Sequence, residues 1–146
     1  MLDQTDQLII KELKSNSRIT MKELGKKVHL TGQATSSRVA KLEESGVIKD
    51  YTINIDYPLY GYNVHALINI YTIDIYHGPY LDFINAQENY ILHNYKISGD
   101  GCYLLECRFP SNMIMEEFLA QLNKYVNYKL TIILADSLKP STIPNT

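Results

Sequence analysis

The chain has 146 residues, 45% hydrophobic and 21% charged. That balance makes one ordinary folded domain or two small ones and excludes a disordered chain. No apolar run approaches the ~20 residues that span a bilayer, and the start Met1-Leu2-Asp3-Gln4-Thr5-Asp6 is acidic and polar, unlike a secretory signal. A cytoplasmic, nucleoid-associated protein with no membrane partner is therefore expected. The net charge of −2 hides an asymmetry: residues 1–50 carry +2 and residues 51–146 carry −4. Between residues 18 and 42, Arg18, Lys22, Lys26, Lys27, Arg38 and Lys41 face only one acid, Glu23. Such a local patch decides nucleic-acid affinity more than the total does. The same run would also suit an ordinary solvated helix face. All twelve tyrosines lie at or after Tyr51, which predicts two modules meeting near residues 51–63.

In chain order, Asp3 is a good helix N-cap, with Asp6 three residues on acting like the acid of a capping box. Ile9 and Leu13 fall on one face of that helix, Leu2 on the same side and Ile10 beside them. Ser15-Asn16-Ser17 should end it. Thr20-Met21-Lys22-Glu23 is a capping box for a second, two-turn helix carrying Leu24 and Val28 inward. A tight break at His29-Leu30 follows, and Thr31 can cap a third helix. There Thr35, Val39 and Leu42 share the inner face, while Gln33, Ser37, Ala40 and Lys41 project outward with Ser36 beside them and Arg38 on the flank. Gly46 suits the position that ends this helix.

Two short helices, the second with a small, polar, basic outer face, form the pattern of a helix-turn-helix. A helix entering a major groove about 12 Å wide must carry small outer residues. Gln33 can read an adenine edge, Ser36 and Ser37 can donate to bases or phosphates, and Arg38 and Lys41 can neutralise phosphates. Lys22 and Thr31 complete the expected DNA-binding set. An ordinary three-helix bundle with a polar face fits the same residues. After Gly46, Thr52, Asn54 and Asp56 alternate with Ile53 and Ile55, so a wing or linker hairpin is expected over residues 51–63.

In the second module, residues 64–73 read as a strand and residues 80–84 as a helix with Gly78-Pro79 at its start. Residues 91–98 and 102–109 read as a hairpin around Gly99-Asp100-Gly101. Ser111-Asn112 should cap a helix running to about residue 125, with Met115, Phe118, Leu119 and Leu122 inward. Residues 128–135 are the last strand, and residues 139–146 a loose polar tail. The βαββαβ order predicts a ferredoxin-like domain over residues 64–138, and the whole chain is expected to be α+β. Helices on one side leave the other sheet face bare, and its tyrosines and isoleucines would be costly to expose. Cys102 and Cys107, five apart on a strand, should point to opposite faces and stay unbonded. Neither they nor His29, His65, His77 and His93 show metal-ligand or catalytic spacing, so no metal, cofactor or enzymatic role is expected.

The sequence resembles the Lrp/AsnC, or feast/famine, family of transcriptional regulators. Leu2-Asp3 with Asp6, Ile9-Ile10 and Leu13 is similar to that family's opening helix, and Arg18-Ile19-Thr20 with Glu23-Leu24 to its second. Leu42-Glu43-Glu44-Ser45-Gly46-Val47-Ile48-Lys49-Asp50-Tyr51-Thr52 is similar to its helix-to-wing junction, and Pro58, Gly61 and Tyr62 to the start of its C-terminal domain. Gly32 departs from the proline usual at the first helical position, and Thr35 from a small aliphatic residue. The resemblance implies sequence-specific binding of double-stranded DNA and sheet-to-sheet dimers that assemble into tetramers or octamers. It also implies a free amino acid as effector near Ser98, Gly99, Asp100 and Gly101, with Asp100 accepting from the α-ammonium group. Gly101-Cys102 replaces the more usual Tyr-Asp there, which removes an acid and leaves a plain tight turn as the other reading. Two further functions share this fold: architectural DNA bending without an effector, and tetrapyrrole decarboxylation, against which the basic window argues.

Overall fold

Three helices carry the first compact unit, Met1–Asn54, and a four-stranded sheet with two helices carries the second, from Ile55 on. The computed structural model describes residues 1–138, so the tail expected at 139–146 lies outside the described residues. No helix among the described residues is long and apolar enough to cross a membrane.

In the first unit, α1 (Gln4–Ser15), α2 (Met21–Val28) and α3 (Gly32–Glu44) start where the sequence places caps. At α1 the box is complete: Asp3 accepts from the Asp6 amide at 2.8 Å, and Asp6 accepts from the Asp3 amide at 3.3 Å. At α2 only the Thr20 half is seen, the hydroxyl accepting from the Glu23 amide at 3.1 Å. Thr31 caps α3 through the Ala34 amide at 3.1 Å. Each such cap contributes about 1 kcal/mol by satisfying a helix-terminal N–H that would otherwise lack a partner. Ile9, Leu13, Ile19, Leu24, Val28, Val39 and Leu42 form one core from all three helices. Leu2 does not join it and stays exposed.

The expected hairpin over residues 51–63 does not form. Residues 49–56 form no strand, and a turn follows at residues 57–61, held by the Tyr62 amide on the Tyr57 carbonyl at 2.8 Å. The alternation is present, but Ile53 is 76% exposed. Within this unit no second strand lies beside the segment to satisfy its amides and cover its apolar side.

The second unit has the expected order: β1 (Val64–Thr72), α4 (Gly78–Asn85), β2 (Ile91–Gly99), β3 (Gly101–Phe109), α5 (Asn112–Leu122) and β4 (Val126–Ile132). The sheet order is β2-β3-β1-β4 with every neighbouring pair antiparallel, a ferredoxin-like α+β arrangement. Helix α5 stops three residues short of the expected end, because Asn123 caps it and the chain turns directly into β4 at Val126. Ala66, Ile68 and Ile70 of β1 and Tyr103, Leu105, Cys107 and Phe109 of β3 alternate into a core with Phe118, Leu119 and Leu122 of α5. Burying each large side chain contributes about 1.5–3 kcal/mol. Burial also pushes the Cys107 thiol up to about 12, while Cys102 remains partly accessible on the opposite face.

Tyrosines and isoleucines were expected on the bare face; Tyr71 lies there, while Ile68 and Ile70 lie under the helices. The open face of β1 carries His65, Leu67, Asn69 and Tyr71, and that of β3 carries Leu104, Glu106 and Arg108. Much of its polarity is paired internally. His65 Nε2 lies 2.6 Å from Glu106 Oε2, and the Arg108 guanidinium sits 4.8 Å from the Tyr57 ring centroid.

Candidate nucleic-acid interface

Helix α2 meets α3 through a turn in which His29 is left-handed (φ 61°), its amide donating to the Gly25 carbonyl. Gly25 has to be glycine: a Cβ there would lie 2.6 Å from the Leu30 carbonyl oxygen and 3.0 Å from Thr35 Oγ1. The turn thus closes directly against α2. Thr35 is fully buried, and its hydroxyl donates to the Thr31 carbonyl at 2.8 Å. This satisfies the polar atom that departs from the aliphatic residue implied by the resemblance. A Cβ at Gly32 would sit at an ordinary 3.5 Å from Lys22 Cα, so the start of α2 lies beside the start of α3.

This packing turns Val39 and Leu42 inward and leaves Thr31, Gln33, Ser36, Ser37, Ala40 and Lys41 exposed on α3, with Lys22 exposed on α2. Among the described residues, Lys22, Gln33, Ser36, Ser37 and Lys41 have no side-chain hydrogen bond or ion pair within the protein. Their donors and acceptors are available to a partner. Thr31 is exposed, but its hydroxyl already accepts from Ala34 as the cap.

Arg38, expected on the flank of α3, is partly exposed and engaged within the protein. Its Nη1 donates to Asp3 Oδ2 at 2.7 Å and to Asp6 Oδ1 at 3.2 Å, and its side chain is 34% exposed. The contact with Arg38 holds the Asp3 carboxyl below its ordinary value, and the two carboxylates hold the arginine above its own. Arg38 is therefore not the unpartnered cation that the sequence suggested. Lys27 is likewise committed, 3.5 Å from Glu12 on α1. Sequence spacing shows neither pair, because the partners come from different helices.

At the hairpin, Gly99 pairs with Gly101 across Asp100. Gly101 has φ +99°, and a Cβ there would lie 2.6 Å from the Ile70 carbonyl oxygen, while Gly99 has open space around it. Ser98, Gly99 and Asp100 are exposed. The Asp100 carboxylate accepts from the Tyr71 hydroxyl at 2.6 Å and lies 3.5 Å from Lys129 Nζ, while its carbonyl accepts from Asn69 Nδ2 at 2.9 Å. The Tyr71 bond, then Lys129, holds Asp100 below its ordinary value and raises the Tyr71 phenol. Asn69, Tyr71 and Lys129 escaped the sequence reading because only strand register brings them to the turn.

Residues 2–49 match the family model described as winged helix-turn-helix DNA-binding. Over 134 residues the chain is 54% identical to the HTH-type transcriptional regulator LrpA of Bacillus subtilis, covering 92% of this chain and 98% of that one. The chain belongs to the Lrp/AsnC family of transcriptional regulators. Among solved structures of the Lrp/AsnC fold, LrpC of B. subtilis aligns with a TM-score of 0.90 at 31% identity over 96% of this chain and 99% of that chain. The feast or famine regulatory protein of M. tuberculosis, complexed with L-methionine, aligns at 0.87 and 27% identity over 99% of this chain and 100% of that one. The Lrp/AsnC assignment spans both units, and the helix-turn-helix implied by caps and periodicity is its DNA-binding part.

Proposed function

We propose that this Lrp/AsnC regulator reads double-stranded DNA through the outer face of α3, with Gln33, Ser36 and Ser37 at base edges or phosphates. Lys41 and Lys22 supply charge to the phosphates, and Thr31 fixes the start of the helix. One observation carries this reading: the side chains of Lys22, Gln33, Ser36, Ser37 and Lys41 are exposed and unpaired on a surface whose opposite side is locked into the core. The chain acts as a cytoplasmic regulator and catalyses no reaction. Its open sheet face, with Leu67, Leu104 and Tyr95, takes a second copy, and dimers assemble further into tetramers or octamers. Two recognition helices roughly 34 Å apart then read two half-sites.

The test is DNA binding against salt, with Lys22→Ala and Lys41→Ala. Each lost phosphate contact lowers the slope of log K against log salt by about 0.9. Unchanged slope and affinity in both variants remove α3 from the interface. A specific-to-nonspecific affinity ratio near one would favour an architectural role instead.

The effector reading is a free amino acid at Ser98, Gly99, Asp100 and Gly101. Support comes from the open backbone at Gly99, the exposed carboxylate of Asp100 and the L-methionine held by the M. tuberculosis relative. An α-ammonium group must compete with Lys129 and Tyr71 for Asp100. Thermal shift against the twenty amino acids, wild type beside Asp100→Asn, should give a rise in Tm that the variant loses. No shift with any of them sinks this part alone.

A further inference from the structure

We infer that Arg38 is a positioning residue: it latches the recognition helix to the first turn of α1 through Asp3 and Asp6, and it is not a phosphate ligand. The inference rests on the DNA-binding reading of α3 and adds how that helix is held. One guanidinium nitrogen meets both carboxylates, at 2.7 Å and 3.2 Å, across 35 and 32 residues of sequence. The same carboxylates accept from each other's backbone amides at 2.8 Å and 3.3 Å. Arg38, Asp3, Asp6 and the start of α1 thus close one ring that joins the two helices. Leu2 and Leu42 lie along the same cleft.

Charge decides the role. One guanidinium against two carboxylates leaves the trio with a net negative charge. The trio therefore offers an approaching phosphate less positive charge than Lys41, which lines the same cleft. Counterion release comes from Lys or Arg charges that neutralise phosphates, and the Arg38 charge is already matched by two carboxylates. The geometry suits a latch, because Nη1 donates to both carboxylates and each contact is a charge-assisted hydrogen bond. Without Arg38 those two carboxylates would lie unmatched in the cleft that Lys41 also lines. Arg38 therefore supports DNA binding in two ways, by fixing the angle of α3 and by masking two acids.

The experiment uses the full chain and a duplex enriched from a random pool by the wild-type protein. A neutral trio, Arg38→Gln with Asp3→Asn and Asp6→Asn, removes the cation and both acids while Asn retains the cap. The slope of log K against log salt should stay at the wild-type value, whereas Lys22→Ala and Lys41→Ala each lower it by about 0.9. Separately, Arg38→Gln and Asp3→Asn should each lower Tm without DNA, and the double variant should lose no more than the worse single one. A drop of about 0.9 in the neutral trio makes Arg38 a phosphate ligand and overturns the inference. Additive Tm losses overturn the latch. If the two lysine variants bind like wild type, the reading of α3 fails, and the latch's part in DNA binding falls with it.

Discussion

The outer face of α3 and the open face of the sheet differ in how their polar groups are partnered. On the helical unit, Lys22 of α2 and Gln33, Ser36, Ser37 and Lys41 of α3 have no internal partners among the described residues. On the sheet unit the open face ties its polar groups together, His65 to Glu106 and Tyr71, Asn69 and Lys129 to Asp100. An unpaired face binds a partner without first breaking bonds. A paired face must be displaced, which makes it a place for competition and tuning.

The largest test of this contrast is to unravel one unit at a time. Leu24→Ala empties a fully buried site in the helical core and should cost about 2–5 kcal/mol. Leu105→Ala does the same in the sheet core. Chemical denaturation followed by circular dichroism should show the first variant losing its helical transition and its DNA binding. The second should lose the sheet transition. A single shared transition in both would show that the units do not unfold separately.

A smaller effect separates the two glycines of the hairpin. Gly101→Ala forces a Cβ to 2.6 Å from the Ile70 carbonyl at φ +99° and should cost roughly 1–3 kcal/mol, while Gly99→Ala meets open space and should be near neutral. Equal costs, read from denaturation midpoints, would contradict the hairpin geometry.

The smallest effect is electrostatic. Asp100 is held below its ordinary carboxylate value of 3.8, first by Tyr71 and then by Lys129. A depressed acid contributes stability above its unfolded value, and that stability is lost as pH falls through the folded one. Tyr71 is raised above its ordinary 10.0 by the Asp100 bond, so its contribution is present below that pH and is lost as pH rises through the folded value. Tyr71→Phe should move the Asp100 titration, followed by carboxyl NMR, back towards 3.8 and remove the alkaline limb. An unmoved Asp100 would show that Tyr71 does not hold it.

Much of the fold was legible before the structure. Asp3, Thr20, Thr31 and Ser111 all sit at helix N-caps, and Gly46, with φ 81°, follows the end of α3. Local hydrogen bonding fixes such positions, so a few residues of sequence carry the signal. The outer face of α3 was legible for the same reason, since a 3.6-residue period assigns every position to a side. The expected strand pairing at residues 51–63 failed because alternation shows that a segment can pair, not that a partner lies beside it. Which isoleucines face the helices was not legible, because a largely apolar strand does not declare which side its helices cover.

By itself the sequence determined the helices, their caps, the βαββαβ order and the basic, small-residue surface, because each depends on neighbours within one or two turns. Only the tertiary structure decided that Arg38 faces Asp3 and Asp6, that Gly25 admits the turn before α3, and that Tyr71 and Lys129 reach Asp100. Those contacts join residues far apart in sequence, and their partners are chosen by packing and strand register.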